Sequence, residues 1–265
     1  MPLQLDLNKS VGEAKKDAGA KLILDLKKNS MTRADARSRV ALLLDISGST
    51  EELFRKKLMH AIATRVGGIA LNLDDNGDLD VLVFNTGCKE ITPGFTEQNS
   101  DTYISKYVAP KVGGGTNYAP ALKALQAKYG PGDPVFAIFI TDGENNDQAD
   151  ALKALIDLSY YGPIFVQTVG VGLNTSETFD NLQEMNDLKV GTGRGQRLID
   201  NAGFCKIDFK NATEEQVYAA LLNEYPSFLA KCKAAGYLPW TKSPIGRNPN
   251  GSGSTGSNFL SNLFG

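Results

Sequence analysis

One carboxylate and two hydroxyls, Asp45, Ser47 and Ser49, fall in the stretch VALLLDISGST, where the apolar run Val40 to Ile46 breaks into a polar turn. Donors of this kind, all oxygen and set as D-x-S-x-S at the end of a run of strand length, suit a small hard cation. Two later segments can complete a shell. Gly113-Gly114-Gly115-Thr116-Asn117 offers a threonine on a glycine loop, and IFITDGE, Ile138 to Glu144, offers Asp142 just beyond a second apolar run. Brought together, Asp45, Ser47, Ser49, Thr116 and Asp142 make one oxygen site, rimmed by Gly115, Asn117, Gly143 and Glu144.

Serine and threonine hydroxyls are neutral donors, so a cation held by three of them and two carboxylates keeps electrophilic character. Mg²⁺ is the natural occupant, with Mn²⁺ or Ca²⁺ as alternatives. Because Mg²⁺ prefers near-octahedral oxygen coordination, a position remains for an outside ligand, and a carboxylate of another protein fits it. A metal-dependent interaction module is one function such a cluster can serve. The other is a Mg²⁺-dependent phosphoryl or nucleotide enzyme in which Glu144 or Asp147 activates water. The three site turns hold no lysine or arginine, the nearest being Lys111 before the glycine loop. Phosphoryl transition states are usually neutralised by such cations, so the module is the expected function and an enzyme the runner-up.

The chain around these residues alternates apolar runs of strand length with stretches of helical periodicity, the pattern of βαβ units. Strands are expected at Val40 to Ile46, Leu79 to Asn85, Val135 to Thr141, Pro163 to Val171 and Phe204 to Phe209. Helices are expected at Val11 to Lys28, Glu51 to Leu71, Tyr118 to Tyr129, Asp147 to Leu158 and Glu214 to Ala235. The fold class is therefore α/β, a doubly wound, mostly parallel sheet flanked by helices. In such sheets ligands bind beyond the carboxyl ends of the strands, where the strand order switches direction, and Asp45 and Asp142 stand at two such ends.

With Asp45, Ser47, Ser49, Thr116 and Asp142 in that order, the chain resembles the von Willebrand factor A (vWA) family and its metal-ion-dependent adhesion site. The resemblance covers about Arg39 to Gly236. It implies a Rossmann-like fold, direct coordination of the metal by a partner's glutamate or aspartate, and a role for Thr116 as the ligand whose shift accompanies a change of affinity. Glu144 and Asp147 make the rim more acidic than that rule favours. Through the segments LDDNGDLDVLVFN, ITDGENND and FLAKCKAAGYLP, the chain is similar to bacterial cytoplasmic members associated with tellurite resistance and chemical stress.

Composition bounds the remainder. The 265 residues, 42% hydrophobic, suffice for one α/β domain with extensions, and the net charge of −2 offers no field for nucleic acid or an acidic membrane surface. The division expected is an amino-terminal extension over 1–38, the vWA domain over 39–240 and a tail over 241–265. No leader-like apolar core appears in the first twenty residues and no run reaches membrane-span length, and three widely spaced cysteines lack a C-x-x-C pattern. A reduced, cytoplasmic protein is the expectation.

Duller readings accompany the other motifs. Asp74 to Asp80 spaces oxygens like half a calcium loop, but lacks the distal glutamate, and an Asn-Gly turn explains it equally. Val190 to Gly195 looks like a phosphate loop yet follows a helix and precedes a strand, which favours a surface loop. His60 lies too far along its helix to serve Ser49, and Trp240 is expected to cap the last helix. In the tail, Gly251 to Ser257 reads as a tether. Beyond it Phe259, Leu260, Leu263 and Phe264 stand at i, i+1, i+4 and i+5, one face if helical, which marks a docking motif acting in cis or on another subunit.

Overall fold

In the computed structural model, residues 6–74, 79–129, 133–172, 178–208 and 211–235 are described. Strands β1 (Arg39–Asp45), β2 (Leu79–Phe84), β3 (Cys88–Phe95), β4 (Val135–Thr141), β5 (Ile164–Gly172) and β6 (Ala202–Asp208) form a sheet in the order β3-β2-β1-β4-β5-β6. β1 pairs in parallel with β2 on one side and β4 on the other, β5 and β6 continue in parallel, and β3 alone runs antiparallel, against β2. The chain leaves β1 towards β2 and later returns to β4 on the opposite side, so the switch in direction lies between β1 and β4. Asp45 and Asp142 flank it.

Both faces of the sheet are covered, which is why its strands read as continuous apolar runs rather than alternating ones. Leu42, Leu44, Phe136, Ile138 and Ile140 share one core with α1 (Val11–Lys28), α3 (Leu58–Leu73), α8 (Glu214–Leu222) and α9 (Tyr225–Ala234). Ala41, Leu43, Ala137 and Phe139 share the other with α5 (Ala119–Tyr129), α6 (Gln148–Tyr161) and α7 (Asp180–Asn186). Single-residue alternation along β1 and β4 divides the two sets. α1 begins at a capping box, with the Ser10 hydroxyl accepting from Glu13 N and the Glu13 carboxylate accepting from Ser10 N. It packs on α3 and α8, and its Val11, Ala14, Ala18 and Leu22 join the core that covers β1. Arg65 of α3, fully buried, donates to Asp6 O at 2.6 Å and to Ala61 O at 3.0 Å and pairs with Glu214 at the start of α8.

Several expectations need correction. The helix expected over Glu51 to Leu71 is two: α2 (Glu51–Arg55) stops where Lys57 takes φ 60°, and α3 starts afresh at Leu58. Lys56 N and Lys57 N close α2 on Glu52 O and Phe54 O at 3.0 Å each. The last helix is likewise divided into α8 and α9, because Pro226 sits in the first turn of α9 and cannot continue a helix from before it. β3 escaped notice: its segment CKEITPGF carries Pro93 and Gly94 and its exposure does not alternate, as an edge strand allows. α4 (Ser100–Tyr103) and α7 also carried too few apolar positions to register. The Asp74–Asp80 segment lies partly outside the described residues; its described ends pair with Arg39, at 3.4 Å for Asp74 and 3.0 Å for Asp80. Trp240 and the tail motif Phe259, Leu260, Leu263 and Phe264 also lie outside them.

Candidate metal centre

Asp45 ends β1 fully buried. Parallel pairing sets Leu44 against Ile140, so Asp45 falls beside Thr141, and the Thr141 hydroxyl donates to Asp45 Oδ2 at 2.6 Å. Asp45 Oδ1 accepts from Ser47 N at 2.7 Å, the turn that a short acidic side chain makes with the backbone two residues on. Burial pushes the Asp45 carboxyl above the usual carboxylate range, against the pull of its bonds from Ser47 and Thr141. The groups acting on it are neutral, so a cation would supply the charge that this buried carboxylate lacks.

The hydroxyls continue the path to the surface. Ser49 Oγ donates to Asp142 Oδ1 at 2.9 Å, and Ser47 Oγ lies 3.1 Å from Ser49 Oγ. Four of the expected ligands are thus joined by hydrogen bonds, the Asp45–Ser47 link being made by Ser47 N, from the buried Asp45 and Ser47 out to the exposed Ser49 and half-buried Asp142. Among the described residues no three His, Cys, Asp or Glu side chains gather where a metal could be held. A cation here would therefore depend on hydroxyl oxygens, the donor chemistry that suits Mg²⁺ over softer metals.

The glycine loop reaches the same place through its backbone. Gly113 N donates to Ile46 O at 2.7 Å and Gly48 N donates to Gly114 O at 3.0 Å, lacing the loop to the Asp45 turn. Gly114 takes φ 87°, which favours glycine by conformation, and a Cβ there would stand 3.2 Å from Asn85 Nδ2, close enough to press on that side chain. Asn85, just past β2, holds the loop's other side: its Nδ2 donates to Gly113 O at 2.9 Å and its carbonyl accepts from Asn117 N at 2.7 Å. Thr116, the fifth expected ligand, is buried, and its carbonyl accepts from Asn146 N at 2.9 Å and Asn146 Nδ2 at 3.0 Å. All three loops are therefore fastened to one another. Of the expected rim, Gly115 and Glu144 are exposed and Asn117 and Gly143 half-buried.

Asp147 is not part of that rim. Its Oδ1 accepts from Tyr118 N at 2.8 Å and its Oδ2 from Ala119 N at 2.9 Å, so it caps α5 from across the loop, satisfying donors that the start of a helix leaves unpaired. Asp147→Ala is expected to lower stability by about 1–2 kcal/mol, the usual loss of a cap, in urea unfolding. Asp147→Asn, which keeps one acceptor, should fall between the variant and the wild type. Sequence reasoning also missed Thr141, Asn85 and Asn146 as positioning residues. The first two had a visible signal, a polar side chain at the end of an apolar strand; Asn146 had none beyond its nearness to Asp142.

The remaining reactive groups lie elsewhere and are passive. His60 lies in the first turn of α3, half-buried, and burial lowers its pKa. Burial raises the thiols of Cys88 to about 11 and Cys205 to about 12, and pushes Cys232 up as well, opposite to an activated nucleophile. All three are expected to alkylate more slowly than free cysteine with iodoacetamide at pH 8, read by mass spectrometry; one fast-reacting site would contradict this. Val190 to Gly195 forms a loop closed by the Val190–Arg197 bridge, and Gly193 N donates to Gln196 Oε1 at 2.8 Å. It follows α7 and precedes β6, as its sequence suggested.

Residues 37–238 match the family described as vWA-TerF-like, the vWA found in the TerF C terminus. The uncharacterized protein YcbR of Bacillus subtilis strain 168 is 29% identical over 248 residues, which are 90% of this chain and 93% of that protein. Among solved structures, manganese-loaded TRAP protein of Plasmodium vivax is similar at 14% identity and a TM-score of 0.48, over 72% of this chain and 74% of that one. The conserved hypothetical protein BatB of Bacteroides thetaiotaomicron is similar at 18% identity and a TM-score of 0.43, over 73% of this chain and 99% of that one. Scores of this size add nothing to the family match.

Proposed function

The chain belongs to the vWA family, in the form found in the TerF C terminus, and from that premise we propose that it is a metal-dependent protein-interaction module. In this reading Asp45, Ser47, Ser49, Thr116 and Asp142 hold Mg²⁺, and an acidic side chain of a partner completes its coordination. The cation would supply an electrophile at the surface. The observation that carries the reading is the hydrogen-bonded chain Thr141–Asp45–Ser47–Ser49–Asp142, with Ser47 N as the link to Asp45, which runs from a fully buried carboxylate to a half-buried one beside an exposed hydroxyl. Thr141 and Ser47 N orient Asp45, Asn146 and Asn85 hold the glycine loop, and Glu144 biases which acidic partner can approach.

We propose no catalytic step. Asp147 and Glu144 are the water-activating bases the sequence offers, and both oxygens of Asp147 already accept from Tyr118 N and Ala119 N at the start of α5. Purified protein with Mg²⁺ should release no phosphate from ATP beyond an Asp45→Ala control. A cytoplasmic setting in tellurite resistance or chemical stress is our proposal from the resemblance of the LDDNGDLDVLVFN, ITDGENND and FLAKCKAAGYLP segments alone.

The test is a pull-down with wild type beside Asp45→Ala, each with Mg²⁺ and with EDTA. Partners retained by wild type with Mg²⁺ and lost in the other three arms support the reading, and partners retained in all four oppose it. Thr116→Ala is expected to weaken capture of such a partner by about 10–100-fold, as loss of a supporting group at a metal site does, while its melting temperature stays near that of the wild type. A large fall in melting temperature with affinity retained would count against Thr116 as a ligand.

A further inference from the structure

Near the amino end of β6, away from the strand-end site, two oxygens face one notch. A Cβ built on Gly203 would lie 2.9 Å from Gln167 Oε1 and 2.9 Å from Glu224 Oε1, so the missing side chain is what admits both groups. Gln167, on β5, is 1% exposed, and its Oε1 has no hydrogen-bond partner among the described residues. Its Nε2 donates to Thr168 O at 3.3 Å, which sets the amide with Oε1 turned to the notch. Glu224 stands half-buried in the corner between α8 and α9. An ionised Glu224 would set acceptor against acceptor and leave the buried Gln167 oxygen unpaired, whereas a protonated one carries the donor that this oxygen lacks.

The charges around the corner favour the protonated form. Burial, and after it the Asp200 carboxylate, raise the Glu224 carboxyl above the usual glutamate range. The cations that pull the other way are Lys231 of α9 and Arg197 of the loop before β6, and both pair with Asp200, at 3.5 and 3.0 Å. Arg197 is held further by the carbonyls of Leu188 and Asn186, which accept from its Nε and Nη2. On β6, the Cys205 thiol is itself pushed up to about 12, by burial first and then by Glu224, and so adds no charge. The corner matters to the core, because Tyr225, next in the chain, stacks on Phe136 of β4 with ring centroids 4.2 Å apart.

We propose that Glu224 is a proton-binding site: protonated, it donates its O–H to Gln167 Oε1 and latches the α8–α9 corner to β5 and β6, and the latch opens as the proton leaves. A carboxyl with a higher pKa folded than unfolded stabilises below its unfolded value, and that contribution is lost as pH rises through the folded one. The latch therefore weakens from acid towards neutral pH. The test follows the side-chain carboxyl carbons of ¹³C-labelled wild type by NMR through a pH titration in EDTA. Glu224 is expected to titrate at higher pH than the exposed glutamates. Gln167→Met, which removes the acceptor at similar volume, should move that titration to lower pH. Glu224→Gln supplies an N–H in place of the O–H, so it should raise the urea midpoint at about pH 8 and change it little at about pH 5. Titration together with the exposed glutamates overturns the proposal, as does titration below them, which would follow if the unpartnered Arg197 Nη1 turned onto the carboxylate. A raised titration that Gln167→Met leaves unmoved overturns it too, because burial alone would then hold the proton. So does an equal midpoint change from Glu224→Gln at both pH values. Every measurement is made without metal, so failure here leaves the proposed function untouched.

Discussion

Asp45→Ala protein is expected to show almost none of the thermal stabilisation that Mg²⁺ or Mn²⁺ gives the wild type. A ligand that binds only the folded state at about 100 times its dissociation constant adds roughly 2.7 kcal/mol. For a chain of this size each kcal/mol is worth about 2–4 °C, so the wild type should rise by about 5–10 °C. The variant keeps the hydroxyls of Ser47 and Ser49 and the carboxylate of Asp142, but loses the buried ligand that Ser47 N and Thr141 hold in place. Its stability in EDTA should not fall in proportion. The Asp45 carboxyl is pushed up by burial, so without metal its charged form opposes folding, and that penalty fades as pH falls through the raised pKa. With metal the sign reverses, because a proton competes for the same oxygens and the metal-induced gain shrinks towards acid pH. Melting curves with and without metal at two pH values check both trends. Equal metal-induced shifts in wild type and Asp45→Ala would sink the ligand assignment.

Much of this architecture was legible in the sequence, for a physical reason. Parallel strands buried on both faces must be nearly all apolar, so β1, β4 and β5 stand out as unbroken runs, and the polar residues that end them stand out equally. That contrast exposed Asp45 and Asp142 together with their turns. α1 was legible end to end, because Ser10 and Glu13 announce its start and Lys27-Lys28-Asn29 its finish. What stayed hidden was set by contacts between distant segments. The break at Lys57 depends on a left-handed residue that lysine does not advertise, and the apolar stripe at steps of four runs straight through it. Asp147 sits immediately before α6 and so reads as that helix's own cap, yet both its oxygens serve α5. Asn85 and Asn146 bind loops 28 and 30 residues away along the chain, a relation no local pattern contains.

The same limit applies to Gly68, which nothing in the sequence separates from its neighbour Gly67 and which carries the largest expected effect on folding. A Cβ at Gly68 would lie 2.4 Å from the carbonyl carbon of Ala14 and 2.6 Å from Lys15 N. Both are backbone atoms of α1, so no side chain can turn aside and the two helices would have to part. Parting them exposes Ala14, Ala18 and Leu22, which α1 buries in the shared core. Gly68→Ala should therefore cost at least the roughly 1–3 kcal/mol typical of overpacking, and Gly68→Leu more, enough to lower the urea midpoint sharply. Gly19, on the facing surface of α1, is the control. A Cβ there meets Asn72 Oδ1 at 2.8 Å, a side-chain atom rather than backbone although Asn72 Nδ2 donates to Lys15 O and Gly68 O at 2.8 Å each, and alanine is the better helix former by about 1 kcal/mol. Gly19→Ala is expected to be near neutral, because the gain in helix propensity offsets the shift of Asn72. If Gly68→Ala unfolds within about 0.5 kcal/mol of the wild type, the range of ordinary surface substitutions, then α1 is not clamped to α3 in solution as it is in the structure.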